Sequence, residues 1–290
     1  MTTVAVLGTG RMGGAMAGTL SRAGFDVVVW NRSNEKAKEV AASAGAKVAE
    51  TPRDSVRDAE VVVSSLADDA AVEAVFEQAA EALHEPQVVL EMSTISPVTT
   101  RRVGERVLAR GAGYLDAPVS GSVSLVEAGN LTIMIGGDAV ALDRAHPVLD
   151  ALSSTILHVG PLGSGATMKL AVNALVHGLN VALSESLVLA ERAGVDRSTA
   201  YEVFASGAAA APFVLYKRAA FERPDETPVA FSLDLVAKDL ELILRLADDV
   251  GLPMAQASTN SDSVLAAIDA GLGERDLSAL ATYLRSIADA

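Results

Sequence analysis

Val4-Ala5-Val6-Leu7-Gly8-Thr9-Gly10-Arg11-Met12-Gly13-Gly14-Ala15 decides the fold. A β-branched apolar run leads into three glycines spaced GxGxxG, and the Ala-rich stretch Gly14 to Ala23 reads as the helix that follows. Each glycine has its own task in such a turn. The first permits the tight bend, the second lets main-chain amides approach a pyrophosphate, and the third allows close packing of helix on strand. The helix N-terminus adds partial positive charge. A bare GxGxxG is also an ordinary glycine turn, but here it sits between strand and helix in a βαβ unit of about 30 residues, which favours a dinucleotide. Gly8, Gly10, Arg11, Met12 and Gly13 are therefore the expected cofactor turn.

Outward from that turn, short β-branched runs alternate with helical patterns: Val27 to Trp30, Val61 to Ser65 and Val88 to Glu91, with Leu131 to Ile135 and Ile156 to Val159 extending the same sheet. This rhythm predicts a mainly parallel sheet, and unbroken runs such as Val61-Val62-Val63 predict helices on both of its faces. From about Gly163 strand signals stop, and helical patterns follow at 164–193, 196–206, 231–250 and 254–287 with breaks. The predicted class is α/β: an N-terminal Rossmann-type dinucleotide-binding domain over 1–162 and a C-terminal all-α domain over 163–290, joined by a long interdomain helix.

Acidic residues outnumber basic ones by 37 to 23, a net charge of -14. That balance repels nucleic acid and anionic lipid, so neither is an expected partner. With no cysteine, and with His84, His146, His158 and His177 scattered, no metal site is expected. The charge-free stretches 151–168 and 170–184 are the membrane candidates; the first is broken by glycines and a proline and the second is short, so no span is expected. No basic segment precedes the first apolar run, which predicts no signal peptide and a cytoplasmic protein.

About 20 residues after the glycine turn, where a carboxylate commonly binds the ribose 2′-hydroxyl of NAD, the second strand instead ends in Asn31-Arg32-Ser33. A guanidinium flanked by hydrogen-bonding side chains accommodates a 2′-phosphate that a carboxylate would repel, so NADP(H) is expected over NAD(H). A helix cap at Asn31 or Ser33 beside a solvated arginine is the competing reading.

On the helix opening at Gly163-Ser164-Gly165-Ala166-Thr167-Met168-Lys169, the residues Lys169, Asn173, His177, Asn180 and Ser184 fall within an arc of roughly 80° on an otherwise apolar surface. An ammonium there is either structurally paired or poised for proton transfer. A lysine snorkelling from a helix end is the alternative. Asn173, one turn on, favours proton transfer because it can orient the polar group that Lys169 would contact. Two further segments, Glu91-Met92-Ser93-Thr94-Ile95-Ser96-Pro97 and Asp116-Ala117-Pro118-Val119-Ser120-Gly121-Ser122, put hydroxyls at strand ends, the edge where α/β sheets bind ligands. Each could also be a cap or a turn.

Taken in order, the Gly8 to Gly13 turn with Asn31-Arg32-Ser33, Ser93 to Pro97, Asp116 to Gly121, Gly163 to Asn173, and Lys238-Asp239-Leu240 after Phe231 resemble the β-hydroxyacid dehydrogenase family over nearly the whole chain. The resemblance implies an NADP(H)-dependent oxidoreductase interconverting a small β- or γ-hydroxyacid and its semialdehyde, with Lys169 as general acid and base. It implies that Asn173, Ser120, Gly121, Ser122, Phe231 and Asp239 contact a small carboxylate-bearing substrate and that Thr94 lies beside substrate and nicotinamide. Lys238, Leu66, Ala67 and Ala71 would border the cofactor, and the helical domain would serve substrate binding and assembly as a homodimer or homotetramer. Leu66-Ala67 departs from the family's usual Leu-Pro. Ser122 resembles the four-carbon semialdehyde reductases, whereas Ala128-Gly129-Asn130-Leu131-Thr132 resembles the hydroxyisobutyrate branch, so the acid stays unnamed. Imine reductases share the layout but usually lack the lysine, as do non-catalytic NADPH-binding relatives.

Overall fold

Alternate residues of the first strand enter different cores. Val4 and Val6 pack in one cluster with Met16, Ala17, Leu20, Ala145 and Leu149, while Ala5 and Leu7 pack in another with Phe76, Val103 and Val107. Side chains two apart share a face, so a strand apolar at every position is a strand covered on both sides. The computed structural model describes residues 2–288. Its strands are β1 (Thr3–Leu7), β2 (Asp26–Trp30), β3 (Lys47–Val48), β4 (Val61–Ser64), β5 (Val88–Glu91), β6 (Gly113–Asp116), β7 (Val119–Ser120), β8 (Leu131–Gly137) and β9 (Ser153–Gly160). They form one sheet in the order β3-β2-β1-β4-β5-β6-β8-β7, with β9 paired to β8. The first six are mutually parallel, β8 runs antiparallel to β6 and β7, and β9 is parallel to β8.

The helices of this part are α1 (Arg11–Arg22), α2 (Asn34–Ala44), α3 (Pro52–Val56), α4 (Asp69–Ala79), α5 (Pro97–Leu108), α6 (Val123–Glu127) and α7 (Ala139–Leu152). Helix α8 (Ser164–Arg192) follows, then α9 (Arg197–Ser206), α10 (Pro212–Glu222), α11 (Leu233–Asp249), α12 (Ala255–Ala267) and α13 (Ala279–Ala288). The chain divides into two compact units, Met1–Lys169 and Leu170–Ala290, so the division falls inside α8. The class is the α/β one expected, with a Rossmann-like first unit and a helical second. The second unit has its own core, including Leu187, Tyr201, Phe213, Phe221, Leu233, Val236, Leu240, Ile243 and Leu280. Helix α8 is long and apolar enough to cross a membrane by length and composition, yet Leu170, Val181, Leu183, Leu187 and Val188 are spent on that core.

Three differences from the sequence reading have physical causes. Helix α1 begins at Arg11, so Gly10 is its N-cap and the last glycine of the motif already lies in its first turn. Helix α10 was not expected between 206 and 231. Pro212 reads as a breaker, but at the first helical position its missing N–H removes no intrahelical bond. Its inward face, Phe213, Val214, Lys217, Ala220 and Phe221, is interrupted by a lysine that blurs the apolar period. The short strands β3 and β7 are two-residue pairings that leave no periodic signal.

Candidate functional site

The glycine turn has the shape its three tasks require. Gly8 has φ +96, and a Cβ there would come within 2.2 Å of the Ser65 carbonyl oxygen. A Cβ on Gly13 would lie 2.0 Å from the Gly8 carbonyl oxygen, whereas one on Gly10 meets nothing within 4 Å. The first and third glycines are thus fixed by packing and the second faces open space. Gly10 caps α1 without a side-chain hydrogen bond, and the first turn of α1 has no acidic residue. The Thr9 hydroxyl beside it is buried with no hydrogen-bond partner among the described residues. Uncapped amides and an orphaned hydroxyl around an open approach fit a pyrophosphate. Met12 packs partly buried against the core and Arg11 is exposed.

At the end of β2, Asn31 has a structural task. Its Oδ1 accepts from the Thr9 amide at 3.2 Å and its Nδ2 donates to the Ser33 carbonyl at 3.1 Å, tying the glycine turn to the second strand. Ser33 occupies the N-cap position of α2, but its side chain caps nothing. Arg32 is exposed and has no hydrogen bond or ion pair among the described residues. A concavity of about 580 Å³ runs from Thr9, Gly10 and Arg11 outward between α1 and α2, with Lys36 on its wall.

After β4 and β5 the loops are laced together. The Leu66 amide donates to Ser93 Oγ at 2.8 Å, and the Ser93 amide donates to Glu91 Oε1 at 2.9 Å. Burial pushes the Glu91 carboxyl up to about 7, against the hydrogen bond from the Ser93 amide. Thr94 is half-buried next to Ser93. Ala67 is exposed, and the Ala71 amide donates to the capping Asp68 at 2.8 Å. Ser96 proves to be a cap: its Oγ accepts from the Thr99 amide at 3.1 Å and donates to Asp69 Oδ1 at 2.7 Å.

Asp116 ends β6 and holds the start of α8. Its Oδ1 accepts from the Gly163 amide at 2.9 Å and its Oδ2 from the Ala166 amide at 2.8 Å. Burial raises its carboxyl despite these bonds. A Cβ on Gly165 would lie 2.5 Å from the Asp116 carbonyl oxygen, so only glycine lets the helix start this close to the sheet. Lys169, half-buried, follows within the second turn. In the loop after β7, Gly121 has φ +147 and a Cβ there would come within 2.7 Å of Leu131. Ser120 and Ser122 flank it, both half-buried, and Ser122 Oγ lies 2.8 Å from Ser124 Oγ.

In the second unit the polar stripe of α8 divides by function. Asn173 Nδ2 donates to Asp239 Oδ2 at 2.6 Å, and His177 Nε2 lies 3.4 Å from the same oxygen. Lys238 Nζ pairs with Asp239 Oδ1 at 3.0 Å. The His177 ring stacks on Phe231 with centroids 6.1 Å apart. Asn180 and Ser184, by contrast, serve the core: Asn180 Nδ2 donates to the Leu277 carbonyl and Ser184 Oγ to the Asn180 carbonyl. Sequence reasoning did not single out His177 as a site residue, although it repeats the i, i+4 spacing of Asn173. It also passed over Asp276, whose carboxylate takes both the Lys217 ammonium, at 2.9 and 2.8 Å, and the amides of Ala230 and Phe231. Its local bonds from Ser278 look like an ordinary turn, and the sequence holds no signal for the rest, because Lys217, Ala230 and Phe231 are 45 to 59 positions away.

Residues 3–160 match the family described as the NAD binding domain of 6-phosphogluconate dehydrogenase. Residues 163–284 match the one described as NAD-binding of NADP-dependent 3-hydroxyisobutyrate dehydrogenase. The chain is 33% identical over 280 residues to glyoxylate/succinic semialdehyde reductase 1 of Arabidopsis thaliana, covering 96% of each protein. Among solved structures, the Mycobacterium tuberculosis 3-hydroxyisobutyrate dehydrogenase with L-serine superposes with a TM-score of 0.86 at 30% identity, over 98% of this chain and 99% of that one. A 3-hydroxyisobutyrate dehydrogenase from Salmonella typhimurium gives 0.90 at 27% identity, over 98% and 100%.

Proposed function

The chain belongs to the β-hydroxyacid dehydrogenase family, and on that footing we propose that it is an NADP(H)-dependent enzyme interconverting a small β- or γ-hydroxyacid and its semialdehyde, with Lys169 as general acid and base. It is an NAD(P)-dependent oxidoreductase of CH–OH groups, of the 3-hydroxyisobutyrate dehydrogenase type. The observation that carries the mechanism is the Asp116 clamp. It ties the first turn of α8 to the end of β6, at the carboxyl edge where such sheets bind ligands, and Lys169 follows in the next turn of the same helix, which supports a role for it there.

When bound, the nicotinamide supplies or accepts the hydride. The protein must then manage one proton and one carboxylate. Lys169 Nζ gives its proton to the carbonyl oxygen during reduction and takes the hydroxyl proton during oxidation. Asn173, held by Asp239, steadies the same oxygen. The Ser120 and Ser122 hydroxyls and the turn at Gly121 receive the substrate carboxylate, and Thr94 borders both reactants. Gly8, Gly10, Arg11, Met12 and Gly13 hold the pyrophosphate, and Leu66, Ala67 and Ala71 border the dinucleotide. Support for the 2′-phosphate comes from the uncommitted Arg32 and Ser33, with Arg11 and Lys36 along the adjoining concavity.

Purified protein mixed with NADPH and a panel of three- and four-carbon aldehyde acids and cyclic imines tests this reading. Cofactor oxidation with the aldehyde acids is expected. Oxidation with imines alone would make it an imine reductase, and none with any compound would make it a binding module. Self-association fits the exposed apolar stripe Leu175, Ala182 and Leu189 on α8, and light scattering is expected to report a dimer or tetramer.

A further inference from the structure

Behind the glycine turn, hydrogen bonds run in a line from the sheet interior to the dinucleotide cradle. Glu91, the last residue of β5, is 1% exposed. Its Oε1 accepts the Ser93 amide at 2.9 Å; Ser93 is itself buried, and its Oγ accepts the Leu66 amide at 2.8 Å. On the other side of that peptide, the Ser65 carbonyl presses on Gly8 so closely that a Cβ would come within 2.2 Å, while the Ser65 amide donates to Leu7 at 2.9 Å. The Ser65–Leu66 peptide is therefore gripped between Ser93 and the first glycine of the turn.

We propose that Glu91 is a positioning residue for the dinucleotide cradle: through Ser93 it sets the Ser65–Leu66 peptide that backs Gly8, and its ionisation governs how firmly the cofactor is held. The proposal rests on dinucleotide binding at the glycine turn and on nothing about the substrate. Ionised, Glu91 receives a charge-assisted hydrogen bond from Ser93, and protonation weakens it. The groups that face Glu91 are few. Ser64 lies on β4, and β6 contributes Asp116 and Tyr114. Burial, with Asp116 adding like charge, places the Glu91 carboxyl at about 7. Burial also pushes the Tyr114 phenol far above its ordinary range, so it does not change charge near neutrality. Asp116 is raised as well, but both its oxygens are spent on the start of α8.

The test is equilibrium binding of NADPH and NADH, by calorimetry or cofactor fluorescence, across roughly pH 5.5 to 8.5. NADH lacks the 2′-phosphate, so titration of that phosphate is separated out. For the unaltered protein, affinity is expected to rise about fivefold as pH passes through neutrality. Glu91→Gln is expected to be flat at the low-pH affinity. Ser93→Ala, which leaves the carboxyl in place and cuts the link to Leu66, is expected to be flat and weak with its melting temperature nearly kept. An unaltered protein with no step, or a step that survives in both variants, overturns the proposal. If Glu91→Gln fails to fold, Ser93→Ala decides alone. Absence of dinucleotide binding at any pH would overturn the cofactor assignment itself, a different failure.

Discussion

The proposed preference for NADP(H) rests on Arg32, which is exposed at the end of β2 where no carboxylate stands. Arg32→Ala is expected to cut the ratio of kcat/KM with NADPH to that with NADH by about tenfold or more, the scale of a lost charge-assisted pair. An unchanged ratio would show that the 2′-phosphate is held elsewhere. Asp276 carries a different kind of weight. Its carboxylate is buried with the Lys217 ammonium and also receives the amides before α11. Asp276→Asn leaves a buried cation without its counter-charge and is expected to cost about 3–5 kcal/mol in denaturant unfolding. Burial alone would raise this carboxyl, but Lys217 and the amides outweigh it and hold it below its ordinary 3.8. The sign follows from linkage: the stabilisation is complete above the ordinary value and is lost as pH falls through the lowered one. Through this carboxyl, stability measured by denaturant unfolding is therefore expected to fall with acid only below about pH 4.

Among the elements, α8 matters most, because its start is held by one side chain. Asp116→Asn turns one of two acceptors into a donor that faces either the Gly163 or the Ala166 amide. The expected loss is about 1–3 kcal/mol of stability, with kcat falling while cofactor affinity stays near that of the parent. Full kcat in that variant would mean that the placement of Lys169 does not depend on the clamp. The helix itself was legible in the sequence, as were the four buried parallel strands, because each is a long or unbroken periodic pattern. Helix α10 was not, since a proline at its start and Lys217 on its inner face disguise the period. The same divide runs through the candidate site. The glycine turn and the Lys169–Asn173 spacing are local in sequence and could be read. The tie from Glu91 through Ser93 to Leu66, the grip of Asp116 on residues 47 and 50 positions away and the Asp276 hub could not, because only the folded chain brings those partners together.

For the molecule as a whole, the sheet accepts a buried acid at the back of its cofactor edge, and that has a thermodynamic signature. Glu91 binds its proton more tightly folded, at about 7, than its ordinary 4.5. The folded state thus loses stability as pH rises from the ordinary value to the raised one. The melting temperature is expected to fall between about pH 5 and pH 8, and Glu91→Gln is expected to melt higher than the parent at the upper end. A parent melting curve that rises over that range would contradict this assignment. The central claim is that the ammonium of Lys169 moves the proton that accompanies hydride transfer. The most direct measurement compares Lys169→Ala with the parent for turnover of a semialdehyde acid and, separately, for equilibrium binding of NADPH. Turnover lower by about 10²–10⁴ with cofactor affinity within a factor of about two is the predicted result. Turnover that persists near the parent rate, or a collapse of NADPH binding that accounts for the loss, would contradict it.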